Sequence, residues 1–259
     1  GVRRSVEAAE ADLQASREGL RDTLVTLLAE VALNYLDVRT FQVRLAVAEA
    51  NLQSQSETFQ LTQWRYEAGL SDELAVQQAR YNVANTRSQI PTLRAGLEEA
   101  ANRIAVLLGV PPGDVHPELE KREPIPVIPM EVAVGVPADL LRRRPDVRRA
   151  ERQLAAQTAQ IGVAKAQLYP SFSLAGTLGL ESLEYANLYS ASARAAQGLA
   201  KAAWPIFEGG SIRQNIKLQT AKQEEALSFY ESTVLTALKD VESALVDYAN
   251  EQIRRDSLA

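Results

Sequence analysis

The 259-residue sequence contains no cysteine, which excludes disulfides and thiolate metal sites. It has a single histidine, His116, set among prolines. One histidine with no cysteine or acidic cluster nearby is a poor metal site, and no nucleophile–base constellation accompanies it. No metal, cofactor or catalytic residue is expected, and the chain is not read as an enzyme. No run approaches the roughly 18 apolar residues of a membrane helix. Basic excess is missing too: net charge is −5, which argues against nucleic acid as a partner. Aromatics are only 6% of residues.

What is present is helix-forming. Apolar residues make up 46% of the chain, and Ala, Leu, Gln, Glu and Arg dominate. Unbranched side chains of this kind lose little rotamer freedom in a helix. Between Val2 and Tyr66 there is no proline, and Gly19 is the only glycine. Leu20, Leu24, Leu27, Val31, Val38, Phe41, Leu45, Ala48, Leu52 and Phe59 recur at threes and fours, with Asn34 and Gln55 in two seam positions. This heptad-like seam predicts one helix on the order of 95 Å long. A stripe of that length needs partners to cover it.

The run breaks at Glu67–Asp72, where Gly69 suits a left-handed helix end and Ser71 or Asp72 suits the next cap. A second helix is expected to about Leu108, with Ile90, Leu93, Leu97, Ile104 and Leu107 on one face and a kink at Pro91. Residues 1–108 therefore read as an antiparallel helical hairpin. Residues 109–144 hold seven of the eleven prolines up to Pro137 and read as extended connecting chain, followed by a short helix over Ala138–Arg143. A longer helix over 145–169 opens at Pro145, with Asp146 suited to its positive end. Arg142, Arg143, Arg144, Arg148, Arg149 and Arg152 cluster here. Asp146 and Glu151 interrupt the cluster, which reads as ion-paired or solvated rather than as a phosphate site.

The period then changes. In Ser171–Glu181, Phe172, Leu174, Leu178 and Leu180 alternate with small or polar residues. Ten residues at period two match a tilted membrane-spanning strand as well as a strand of a soluble sheet. A loop over Ser182–Gln197 and a second, less clearly patterned strand over about Gly198–Phe207 would complete a hairpin within 170–208. The last helix fills 209–259 behind Gly209-Gly210, with Ser211 and Gln214 at capping-box spacing. Shifted by 210 positions, the first helix matches it: Arg3 meets Arg213, Thr23 Thr233, Thr26 Thr236, Val31 Val241 and Asp37 Asp247. The repeat, with a last helix that ends uncapped, gives the expectation that the chain is an internal piece of a longer one.

The stretch from Val136 through Pro-Ala-Asp-Leu-Leu-Arg-Arg-Arg-Pro-Asp-Val-Arg-Arg-Ala-Glu-Arg-Gln-Leu closely resembles the outer-membrane factor family of the TolC/OprM type, the outer-membrane channel components of RND tripartite efflux pumps. Ile161–Ala166, Tyr169–Leu174, Leu107–Gly113, Arg65–Leu70 and Trp204–Gly210 support the likeness. The resemblance implies a mainly α fold of very long antiparallel coiled-coil helices forming an α-barrel, with one membrane β-strand pair contributed here. It implies a homotrimer in the outer membrane with most of this chain in the periplasm, acting as a passive exit duct for drugs or other toxic small molecules. A periplasmic adaptor and an inner-membrane RND transporter would be its partners. Gly69, Leu70, Ser71 and Asp72 would form a partner-facing tip, and Phe172, Leu174, Leu178 and Leu180 would face lipid. Ala75 stands where some relatives have an aspartate, so no gate residue is assigned. The alternative is a soluble periplasmic coiled-coil adaptor or scaffold, although adaptors insert β-rich segments between their hairpin helices. In isolation, a lone strand pair over 171–207 is expected to be poorly ordered or unusually paired without membrane or detergent.

Overall fold

The structure is a computed structural model and describes residues 1–121, 123–126, 137–181, 183, 185, 189–191 and 194–258. In chain order the elements are α1 (Val2–Glu67), α2 (Glu73–Leu108), α3 (His116–Leu119), α4 (Pro137–Arg143), α5 (Pro145–Ala166), β1 (Ser171–Leu180), β2 (Arg194–Ala203) and α6 (Ser211–Leu258). The chain divides into two compact units. One is Thr23–Ala133; the other joins Gly1–Asp22 to Val134–Ala259.

In the Thr23–Ala133 unit, α1 and α2 form the antiparallel hairpin expected from the seam. Val38, Ala100, Ala101, Ile104, Ala105 and Val115 make one buried cluster, flanked by Tyr35, Phe41, Leu97 and Leu119. Leu45, Ala48 and Ile90 make a second, with Leu52, Leu93 and Leu97 against it. Alanine at so many contact positions lets the helix backbones approach closely. Gly96 takes this furthest: a Cβ built on it would lie 2.6 Å from Phe41 Cζ. The seam polar residue Gln55 accepts a hydrogen bond from Thr86 Oγ1 at 2.8 Å across the hairpin. Asn34 instead donates to its own helix, at Glu30 O. Pro91 sits inside a continuous α2.

In the other unit, α5 runs antiparallel to both the start of α1 and α6. Arg4 packs at Gly162, Arg152 donates to Gln14 Oε1 at 3.3 Å, and Arg149 covers Gly19. On the α6 side, Asn215 donates to Gln167 Oε1 at 3.4 Å and Arg144 reaches Asp240 at 3.1 Å. Ala8, Ala11, Ala15, Ala150, Ala156, Ala159 and Ala237 line these contacts. Asp12 and Lys222, 210 positions apart, line one groove together with Gln153 and Gln157. Positions matched by the repeat thus stand at one level on two helices that flank α5.

Several details differ from the sequence reading, among them α5, which ends at Ala166 rather than near 169, and α4, which starts at Pro137 rather than Ala138. The second strand is Arg194–Ala203 rather than about Gly198–Phe207, because its pairing is dictated by the ten residues of β1. Pro205, which has no N–H for a ladder, lies beyond it. The segment after α2 is not wholly extended: Pro117 occupies the first turn of the short α3. The capping box at Ser211 does not form; its hydroxyl donates to Glu208 Oε2 at 3.3 Å, and α6 opens after Gly210 at φ +85°. Parts of the expected connecting chain and of the Ser182–Gln197 loop, including Pro129 and Val136, lie outside the described residues.

Candidate functional site

Two places hold the residues singled out in the sequence: the turn between α1 and α2, and the strand pair. The turn is set by local chemistry. Gly69 takes φ +76°, its N–H donates to Tyr66 O at 2.9 Å, and Leu70 N–H donates to Arg65 O at 2.7 Å. These two bonds satisfy the last carbonyls of α1 in a Schellman arrangement. Asp72 then caps α2, its Oδ1 accepting from Ala75 N at 2.8 Å. Gly69, Leu70, Ser71 and Asp72 are thus brought together in a turn of fixed shape, one that sequence spacing locates correctly. Leu70 is 69% exposed and Leu74 is 74% exposed, with Trp64 and Tyr66 also at the surface. No β-rich segment is inserted between the hairpin helices, the feature expected of an adaptor.

The strand pair is antiparallel and in unbroken register from Ser171↔Ala203 to Leu180↔Arg194. Directly opposed residues share a face. One face therefore carries Phe172, Leu174, Gly176, Leu178 and Leu180 against Ala202, Ala200, Gly198, Ala196 and Arg194. The other carries Ser171, Ser173, Ala175, Thr177 and Gly179 against Ala203, Lys201, Leu199, Gln197 and Ala195. Phe172, Leu174 and Leu178 are each more than 80% exposed, and Leu180 is exposed as well. Exposed aromatics bracket the pair: Tyr169, Trp204 and Phe207 at the helical end, Tyr185 and Tyr189 after the far end of β1. Trp204 Nε1 donates to Leu168 O at 3.1 Å, tying the end of α5 to the end of β2. Pattern reading of the sequence found β1 and missed how well β2 complements it. Alanine and glycine carry little strand signal, and their apolar face becomes legible only once the register is known.

A buried polar anchor also escaped the sequence. Arg39, almost fully buried, donates to Lys121 O at 2.6 Å, Leu119 O at 3.3 Å and Gln42 Oε1 at 2.9 Å. Its guanidinium also lies 4.8 Å from the Tyr35 ring centroid. Gln42 Nε2 adds a second bond to Leu119 O at 2.6 Å. Together they pin the chain after α3 onto α1. An arginine and a glutamine three residues apart on a polar-rich helix carry no signal of burial. His116 Nε2 meets Glu98 Oε2 at 2.7 Å, and this hydrogen bond holds the imidazole pKa above its ordinary value. That is a structural bond, and among the described residues no group of metal ligands surrounds it.

The arginine cluster is largely ion-paired. Arg144 makes a forked contact with Asp146 at 3.1 and 2.8 Å and bonds Asp240 as well. The guanidinium holds the Asp146 carboxyl below the usual carboxylate range. Arg148 faces Glu18 and Arg149 faces Asp22, each at 3.9 Å, and Arg152 contacts Glu151.

A family model described as outer membrane efflux protein matches residues 1–110 and 136–257. The chain belongs to the outer membrane efflux protein family. Among curated relatives it is 39% identical over 256 residues to nodulation protein T of Rhizobium leguminosarum bv. trifolii, covering 96% of this chain and 53% of that protein. It is 33% identical over 260 residues to outer membrane protein OprJ of Pseudomonas aeruginosa, covering 100% of this chain and 53% of that protein. Among solved structures, the outer-membrane channel OprN superposes with a TM-score of 0.88 at 38% identity, covering 99% of this chain and 57% of that one. The chain spans about half the length of the curated relatives it matches. The fold class read from the sequence, mainly α with long antiparallel helices and a strand pair, is the fold of this family of channels. Family membership also locates the chain's address in the outer membrane.

Proposed function

We propose that the chain supplies part of the exit duct of a tripartite efflux system, a passive outer-membrane channel for toxic small molecules. The observation that carries this reading is the strand pair, in a chain of the efflux family. Its ten-residue strands have one wholly apolar face as far as Leu180↔Arg194, an opposite face of mainly small and polar residues, and aromatics at both ends. That is the pattern of a lipid-facing barrel wall, with Phe172, Leu174, Leu178 and Leu180 toward the acyl chains. A barrel must close to pair its strand edges, so this hairpin needs further strands beside it, which a homotrimer of the longer protein would supply. Apolar residues left open along the helices, among them Leu13, Leu20, Leu28, Leu33, Phe229 and Leu235, are the surface on which neighbouring helices would pack into an α-barrel in the periplasm. Gly69, Leu70, Ser71 and Asp72 form the tip that meets the periplasmic adaptor and the inner-membrane RND transporter. The transporter supplies the energy, and the duct performs no chemistry. A soluble adaptor has no use for an exposed Phe172–Leu180 face, and no observation favours it.

The test is complementation. The full-length protein is expressed, with a cognate adaptor and transporter, in a strain lacking its own outer-membrane channel, and cell accumulation of a fluorescent efflux substrate is followed. Restored efflux is expected, with the protein in the outer-membrane fraction. Paired replacement Leu70→Asp and Leu74→Asp should abolish efflux while leaving that location unchanged. A protein found in the soluble periplasmic fraction would overturn the channel reading, and undiminished efflux with the altered turn would overturn the tip assignment.

A further inference from the structure

On the polar face of the strand pair the charge is not mixed. Among the residues of β1 and β2, only Arg194 and Lys201 are charged. Arg194 lies at the strand end on the apolar face, paired with Leu180, where its long side chain can reach out of the acyl region. Lys201 lies on the opposite face, directly across from Ser173 and two residues from the helical end of the pair. The rest of that face, Ser171, Ala175, Thr177 and Gly179 with Ala195, Gln197, Leu199 and Ala203, is uncharged. No ion pair with any described residue holds Lys201, which is exposed. The wet face is the one opposite the apolar run of Phe172, Leu174 and Leu178.

We propose that Lys201 gives the membrane-spanning part of the duct a preference for anionic over cationic solutes. The inference rests on the channel reading above and adds to it a residue that discriminates by charge. Each copy of the hairpin places one unpartnered ammonium on the lumen wall near the helical mouth of the barrel, with no carboxylate on the same face to cancel it. Low-dielectric walls keep such a field in the water rather than spreading it. The ammonium acts over a Debye length of about 8 Å at 0.15 M salt, so it works on solutes passing along the wall.

These 259 residues contain no cysteine, and any cysteine elsewhere in the full-length protein is first replaced by serine, so that single thiols can be placed as reporters. The full-length protein in lipid vesicles is labelled with two small methanethiosulfonates, one bearing a sulfonate and one a trimethylammonium. Rates are taken relative to the same reagents on a free thiol. At Ser173→Cys, with the ammonium about 6 Å away, the sulfonate reagent is expected to be favoured about threefold over the cationic one at 0.15 M salt. The bias should vanish with Lys201→Gln, invert with Lys201→Glu, survive Lys201→Arg and fade in 1 M salt. At Thr177→Cys, four residues and about 13 Å further along, it should be absent. Leu174→Cys on the apolar face should react slowly with both reagents. Two failures are distinct. If Leu174→Cys reacts as fast as Ser173→Cys, the wall has no lipid side, and the channel reading falls with this inference. If Ser173→Cys is the faster site but shows no bias, or a bias that Lys201→Gln leaves intact, the channel reading stands and the role of Lys201 is overturned.

Discussion

Two glycines in long helices should respond to the same substitution with opposite signs. An interior helical glycine costs about 1 kcal/mol relative to alanine, so Gly→Ala stabilises wherever the methyl group fits. At Gly19 the nearest atom to a built Cβ is Arg149 Cδ at 3.5 Å, an ordinary contact with a flexible side chain. Gly19→Ala should therefore stabilise by up to about 1 kcal/mol. At Gly96 the built Cβ meets Phe41 Cζ at 2.6 Å and Cε1 at 2.7 Å, inside any tolerated separation. The ring is part of the packed α1–α2 layer and has to move against Tyr35, Val38 and Leu97. Overpacking of this kind costs about 1–3 kcal/mol, which offsets or exceeds the helical gain. Gly96→Ala should then fall between no change and about 2 kcal/mol of destabilisation. Trimming the ring decides the cause. In a Phe41→Leu background the added methyl has room, and Gly96→Ala should turn stabilising, a coupling of at least about 1 kcal/mol between the two sites. Urea unfolding of the full-length protein in detergent, followed by far-ultraviolet circular dichroism, reads the order of midpoints. If Gly96→Ala stabilises as much as Gly19→Ala in the unaltered background, the close approach of α2 to Phe41 is refuted.

Arg39→Met should open the chain after α3, because the carbonyls of Leu119 and Lys121 lose a charged donor; a loss of about 2–3 kcal/mol is expected, read as faster amide exchange in residues 115–121 with little change near the tip. Asp146→Asn should destabilise by about 1 kcal/mol near neutral pH. Because Arg144 lowers the Asp146 pKa in the folded chain, its stabilisation is present above the ordinary carboxylate value. It is lost as pH falls through the lower folded value, so the variant should differ from the parent in urea midpoint at pH 6 and converge with it in strong acid. His116 behaves in the opposite sense. Its pKa is raised by Glu98, so its contribution is complete below about pH 6.5 and is lost as pH rises through the folded value. His116→Gln should remove that fall in stability, measured by thermal melts from pH 6 to 9, and a parent protein with no such fall would contradict the His116–Glu98 bond.

Much of the architecture was legible because it is written in local rules. A prolineless run with apolar residues at threes and fours has no better state than α1, and Gly69 with Asp72 ends and restarts the helix through bonds within a few residues of chain. Pro145 and Asp146 opened α5 where expected, and alternation exposed β1. What the sequence could not determine depends on residues far apart. The limits of β2 and its apolar face follow from register with β1, since Ala196, Gly198, Ala200 and Ala202 have no strand preference of their own. Gln42 and Arg39 look like surface residues until the chain at Leu119 and Lys121 folds back on them. Gly96 looks like a weak point in a helix until Phe41 occupies the space a side chain would need. Helix and turn are settled by energies between neighbours in sequence. Register, burial of a charge and the closeness of two helices are settled by contacts across long stretches of chain, and only the tertiary structure brings those together.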